Sequence, residues 1–287
     1  LLQQYVNNQI SNNQFVDYYK AAFDFEPTFS ATQITWKNQH PQLYNNLLLN
    51  ISQDYPTRKS IGYWAIDYLS QNPSVLFSTF EKQFLKIQEG IDGTYNANYW
   101  DNPNLTFPTQ NLPSWDNFNS AYPKHDDPLY DTPIEVYTSI GGEVLNAYNS
   151  NPSSYQNICA LRISKALNYA GISINSGTDR YKGSDGKYYF VSCAALLKWM
   201  KKTFGTPSGS NYVTGSQGGV NGQHFPDLLA GKKGIYIMTP NYPGGCANGT
   251  GFCASGHADL IENSVCDGGC FFYATGGVHE IFIWELQ

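Results

Sequence analysis

The spacing of apolar residues changes character once along this chain, and that change sets the fold class. Through residues 1–90 they recur at helical intervals, in QQYVNNQISNNQFVDYYKAAFDF, PQLYNNLLLNISQ, SIGYWAIDYLSQ and SVLFSTFEKQFLKIQ. Pro27, Pro41, Pro56 and Pro73 punctuate the pattern. Helices this short are marginal alone and must pack on one another. Near the C-terminus GIYIMTP, HADLIE, CFFYA and HEIFIWEL alternate as strands do. Helices first and strands after predict an α+β domain over residues 136–287, with helices packed on an antiparallel sheet. Residues 1–90 then form a small, mainly helical spacer or adaptor domain. The stretch 91–135 has no period and is rich in Gly, Pro, Asn, Asp and aromatics, so it reads as linker and surface loop. His125, in its KHDD tetrapeptide, reads as an exposed loop histidine.

A chain of 287 residues with 41% hydrophobic residues can build a real core. Its net charge of −6 argues against nucleic acid as a partner, because phosphate binding needs a basic face. Lys198, Lys201 and Lys202 lie together on a helical pattern and read as a solvated face. No apolar run is long enough to predict a transmembrane segment. The N-terminal LLQQYVNNQI lacks the basic and apolar regions of a signal peptide and has no starting Met. It therefore reads as part of a longer product or as a processed form.

The six cysteines are unevenly placed, none before Cys159. Cys246, Cys253, Cys266 and Cys270 cluster, and the economical reading is two local disulfides, 246–253 and 266–270, with Cys159 and Cys193 free. Three pairings of the four are possible. Disulfides point to an oxidising destination. The rival is a zinc site of those four thiols, whose spacings do not match paired knuckles; no metal or cofactor is expected. Cys193 falls at an apolar helical position in SCAALLKWM, which reads as packing.

Cys159 and His257 carry the chemistry. NICALRISKALNYAG has helical spacing, with Asn157 as N-cap and Gly171 beyond the C-terminus, so Cys159 falls in the first turn. There the helix dipole and unpaired N–H groups favour thiolate. His257 lies on the HADLI strand, where a distant imidazole returned by the fold can act as base and then as acid. A third group normally orients such an imidazole. Asp267, in CDGGC, is the first choice; Asp259, on the same strand face as His257 but at a long separation, is the rival. Gly256 leaves room for a close approach of substrate or helix.

These residues carry a family resemblance. NICALRISKALNYAG, SGHADL, the C-x₃-C that follows and the terminal IFIWEL resemble the type VI secretion amidase effectors of the fourth class, and PSWDNFNSAYP and VYTSIGGEV resemble the start of that domain, from about residue 110 to 287. The resemblance implies an NlpC-type, papain-like fold and an antibacterial toxin acting in the periplasm or cell wall of a target bacterium. It implies cysteine-dependent hydrolysis of the peptidoglycan stem amide between D-glutamate and meso-diaminopimelate. It carries the nucleophile onto Cys159, the base onto His257 and a disulfide onto Cys266 and Cys270, and it implies a neutralising immunity protein. The Cys159 N–H would help hold the oxyanion. ITWKNQHPQLYNNLLLNI is similar to helical segments preceding toxin domains in large secreted polymorphic proteins, which implies secretion machinery or a larger parent polypeptide as partner. The competing expectations are a papain-like protease or acyltransferase acting on protein or lipid, and a non-enzymatic cell-wall-binding module.

Overall fold

Serine side chains start the first long helices. Ser11 accepts the Gln14 N–H at 3.1 Å, and Ser30 forms a reciprocal capping box with Gln33. The computed structural model describes residues 2–7, 9–88 and 90–287. Its N-terminal unit, ending at Phe80, is helical: α1 (Leu2–Val6), α2 (Asn12–Phe25), α3 (Ala31–Gln39), α4 (Pro41–Ile51), α5 (Tyr55–Gln71) and α6 (Phe77–Phe80). The apolar stripes meet in a core of Phe25, Trp36, Tyr44, Leu47, Leu48, Ile51, Ala65, Leu69 and Phe80, all buried.

The second unit is Glu81–Gln287, so it begins before the boundary expected at residue 90. A π-helical turn, Glu81–Leu85, opens it. The carbonyls of Lys82 and Gln83 accept the N–H groups of Cys270 and Phe272, and Gln83 Nε2 donates to the Ser264 carbonyl at 3.1 Å. These long-range bonds bind the turn to the C-terminal sheet.

The stretch expected as linker is built into this unit. It holds α7 (Ala97–Trp100) and α8 (Trp115–Ala121), and Trp100, Trp115, Phe118 and Tyr122 are buried in the main core. Next come α9 (Pro133–Ile140), α10 (Gly142–Ser150) and α11 (Cys159–Tyr169), then a small hairpin, β1 (Arg180–Lys182) with β2 (Tyr188–Phe190), and α12 (Cys193–Phe204). After β3 (Tyr212–Thr214) and α13 (Phe225–Leu228) come β4 (Lys233–Pro240), β5 (His257–Glu262), β6 (Val265–Cys266) and β7 (Val278–Glu285). The five-stranded sheet has the order β3-β7-β4-β5-β6, with antiparallel neighbours throughout.

The fold class is therefore α+β, helices on an antiparallel sheet, preceded by a mainly helical unit. The core of the second unit gathers Ile163, Ala166 and Leu167 of α11, Leu196, Trp199 and Met200 of α12, and Ile235, Ile237, Ala258, Leu260, Phe282 and Trp284 of the central strands. Among the described residues, no helix is long and apolar enough to cross a membrane.

Candidate active site

Cys159 is the first residue of α11. The N-cap is Ile158, one residue after the Asn157 expected, and Asn157 Oδ1 accepts the Cys159 N–H at 3.1 Å. Gly171, with φ of 91°, lies just past the helix and supplies the left-handed turn that ends it. Ser164 Oγ donates to the Ala160 carbonyl and accepts the Phe190 N–H at 3.0 Å, pinning α11 to the hairpin. The expected position of the cysteine, in the first turn of a helix with fixed register, is what the structure has.

His257 opens β5, paired with Met238 of β4. Gly256 does permit a close approach, to strand β4 and to the head of α12: a Cβ there would lie 2.7 Å from the Met238 carbonyl oxygen and 3.1 Å from Cys193 Sγ. Cys193, first residue of α12, is free and buried like Cys159 and lies near enough to it to raise its thiol pKa. The imidazole of His257 is near enough to the Cys159 thiol for each to shift the other's titration, but neither ring nitrogen is hydrogen-bonded. The ring of Phe271 packs edge-on over the imidazole with centroids 4.6 Å apart, and Phe252 packs on Phe271 in turn. Cys159 and His257 are each only 1% exposed, so the site is closed in this conformation.

Of the two candidate carboxylates, the structure brings Asp259 to His257. His257 Nε2 lies 3.5 Å from Asp259 Oδ2, an electrostatic approach longer than an ordinary hydrogen bond. The Asp259 carboxylate is fully buried and accepts from Tyr122 OH at 2.6 Å and from the N–H groups of Leu260, Gly268 and Gly269 at 2.7, 2.8 and 3.2 Å. Asp267, the first choice from sequence, instead accepts from the N–H and Nδ1 of His125 at 2.8 and 2.9 Å. The register explains the correction. β6 sets Cys266 opposite Ile261, and the Asp267 N–H bonds the Leu260 carbonyl, so Asp267 stands opposite Leu260 rather than His257. His125 is correspondingly not an exposed loop residue. Its loop is held from below by Arg162, fully buried on α11, whose guanidinium donates to the carbonyls of Pro123, Lys124 and Tyr130.

The electrostatics follow from this packing. Burial pushes the Cys159 thiol well up, the nearness of Cys193 adds to the effect, and His257 opposes it. The expectation of a thiolate favoured by the helix end is thus reversed in the closed site, where desolvation of a charged sulfur dominates. Burial alone would lower His257, but Asp259 and Cys159 outweigh it, so the imidazole is pushed up to about 9. Asp259 is held well below the usual carboxylate range: burial raises it, and the lowering contributions of His257, His125 and Tyr122 prevail. His125, Asp259 and Asp267 place one potential ligand atom each within 4.8 Å of one another, but donors already fill the Asp259 carboxylate and His125 holds Asp267. That cluster is a hydrogen-bonded network. Disulfides Cys246–Cys253 and Cys266–Cys270 close the loops on either side of β5.

A cysteine heading a helix, a histidine heading a strand and a C-terminal antiparallel sheet coincide with a known family. Residues 155–284 match Tae4, the type VI secretion system (T6SS) amidase effector protein 4. The resemblance read from the sequence is thereby shown, and Cys159, His257, Asp259, Asp267 and both disulfides lie inside the Tae4-matched stretch. Among solved structures, the chain is similar to the Tae4–Tai4 effector–immunity complex from Salmonella Typhimurium, at 26% identity over 62% of this chain and 100% of that one, with a TM-score of 0.48. It is also similar to Tae4 from Enterobacter cloacae, at 24% identity over 62% and 99% of the two chains, TM-score 0.46. The Enterobacter cloacae Tae4–Tai4 complex gives 24% identity over 61% and 99%, TM-score 0.44. No curated protein matches the chain.

Sequence reasoning missed Tyr122, His125 as the partner of Asp267, and the closeness of Cys193 to Cys159. Tyr122 and His125 precede the Tae4-matched stretch and sit in aperiodic sequence, where nothing local signals a long-range contact. Cys193 carries a signal beyond its apolar setting, since Ser192 before it caps α12 as a helix-start residue does.

Proposed function

We propose that the chain is an antibacterial peptidoglycan amidase, a cysteine hydrolase of NlpC-type, papain-like architecture that cleaves the amide between D-glutamate and meso-diaminopimelate in the stem peptide. The observation that carries the reading is the juxtaposition of the buried Cys159 thiol at the head of α11 and the His257 imidazole at the head of β5, each shifting the other's titration, with Asp259 buried behind the ring. In this scheme Asp259 strengthens His257 as a base, and the ring takes the thiol proton as sulfur attacks the stem carbonyl. The C–N bond breaks as His257 returns that proton to the departing diaminopimelate amine. A thioester on the D-glutamyl carboxyl remains. Water gives a proton to His257 and its oxygen to the acyl carbon, and the ring reprotonates the leaving sulfur. The Cys159 N–H, held by Asn157 Oδ1 before reaction, exchanges that partner for the oxyanion.

The family description, amidase effector of the type VI secretion system, supports delivery to the periplasm of a target bacterium. The Tae4–Tai4 complexes support an immunity protein as natural inhibitor. The test is digestion of purified sacculi followed by mass analysis of the fragments. The expected product is a new free amine on diaminopimelate, absent with Cys159→Ala. Hydrolysis that persists in a folded Cys159→Ala chain, or fragments cut at another bond, would overturn the assignment; cleavage of a protein panel in preference to sacculi would favour a papain-like protease.

A further inference from the structure

Asp92 is a buried acid with no part in the scheme above, and it lies well before the Tae4-matched stretch. Its carboxylate joins two elements. Oδ2 accepts the N–H of Cys193, at the head of α12, at 2.8 Å. Oδ1 accepts the N–H of Ser255 at 2.8 Å, and the Ser255 hydroxyl donates to Oδ2. Ser255 Oγ in turn accepts the Ala194 N–H at 2.9 Å, closing a ring between the helix head and the loop that leads into β5. Burial pushes the Asp92 carboxyl up although these three donors hold it down.

The neighbours of Asp92 extend the connection. The Ile91 carbonyl accepts the Asn157 N–H at 3.0 Å, and the Gly93 N–H donates to the Val191 carbonyl at 2.8 Å. Gln88 Oε1 accepts the Cys253 N–H at 2.6 Å. Gly93 is held so closely that a Cβ would lie 2.5 Å from Val191 Cγ2 and 2.8 Å from the Tyr155 ring. This strap therefore bonds the backbone of Asn157, two residues before Cys159, and that of Ser255, two residues before His257. The sulfur and the imidazole stand on separate elements, and their separation is set by whatever fixes the start of α11 relative to the start of β5. A misplacement of about 1 Å in such a pair costs about a hundredfold in rate.

We propose that Asp92 is a positioning residue for the Cys159–His257 pair, and that the strap of Gln88, Ile91, Asp92 and Gly93 is part of the catalytic unit although it lies outside the Tae4-matched stretch. The proposal rests on the amidase reading, and its test separates the two. In the full chain, Asp92→Ala, Ser255→Ala and the double variant are compared with the parent and with Cys159→Ala. The readouts are kcat and KM on stem-peptide substrate, secondary structure by circular dichroism, and the pH profile of Cys159 alkylation by iodoacetamide, resolved from Cys193 by peptide mass mapping.

Asp92→Ala is expected to lower kcat about tenfold or more with KM within about twofold, and to alter the Cys159 alkylation profile. Ser255→Ala should do the same more weakly, and the double variant should be no worse than Asp92→Ala, because both break one clamp. A folded Asp92→Ala chain with parental kcat and alkylation profile overturns the positioning role while leaving the amidase intact. An active Cys159→Ala chain overturns the amidase reading instead. Should Asp92→Ala fail to fold, Ser255→Ala decides: parental kcat and alkylation profile there refute the clamp.

Discussion

Exchanging Asp259 for Asn tests which carboxylate serves His257. Its surroundings push the His257 imidazole up to about 9 against the opposing effect of burial, with Asp259 first among the causes that raise it. The surroundings therefore favour the imidazolium by an energy on the order of a few kcal/mol. Asp259→Asn removes the negative charge and leaves the desolvation, so the His257 pKa should fall from its raised value. The amide offers one acceptor oxygen where the carboxylate offers two. Two donors then face an NH₂ group, either Tyr122 OH and the Leu260 N–H at Oδ1 or the Gly268 and Gly269 N–H groups at Oδ2. That adds a stability cost of about 1–3 kcal/mol. By analogy with triads that lose their acid, turnover should fall on the order of a hundredfold or more. The matched control is Asp267→Asn, which breaks the His125 pair and should leave the His257 titration in place. The assay is NMR titration of the histidine ring carbons, with the His257 signal assigned by its loss in His257→Gln, alongside urea unfolding. A His257 pKa that moves in Asp267→Asn and stays put in Asp259→Asn would refute the reasoning.

Three further outcomes follow from the same geometry. Because the folded-state pKa of His257 is raised to about 9, its protonation adds stability that is complete below about pH 6.5 and is lost as pH rises through about 9; urea midpoints should fall across that window, and less so in His257→Gln. Tyr122→Phe removes one donor from a buried carboxylate and should cost about 1.5–3 kcal/mol in chemical denaturation; an unchanged midpoint would show that the hydroxyl does not hold Asp259. Gly256→Ala drives a methyl toward the Met238 carbonyl and Cys193 Sγ and should destabilise by about 1–3 kcal/mol, with a melting temperature equal to the parent's counting against that packing.

What the sequence makes legible is local. Helical spacing and flanking cap residues place Cys159 in a first turn, and strand alternation puts Asp259 on the face of His257. Both disulfides join neighbours in sequence. The choice of Asp267 fails on register: the β5–β6 turn passes through Asn263 and Ser264 in left-handed conformations, at φ of 49° and 62°, and delivers Asp267 opposite Leu260. A turn of that kind is not written in a Glu-Asn-Ser-Val string. The stretch 91–135 misleads because lack of period is not the same as exposure. An irregular segment can be buried when its aromatics fill a core and its polar groups find distant partners, as Trp100 does through its Nε1–H to Asp179 at 2.9 Å.

The sealing of the dyad beneath Phe271 has a kinetic meaning. With its thiol and imidazole each 1% exposed, the resting molecule gives a polymer strand no entrance. In the proposed scheme, turnover runs through the minority of molecules whose Phe271 ring has moved off the imidazole. Each tenfold scarcity of that minority weakens apparent substrate affinity by ~1.4 kcal/mol. The same burial keeps oxidants and alkylating agents from the Cys159 sulfur in the closed molecule.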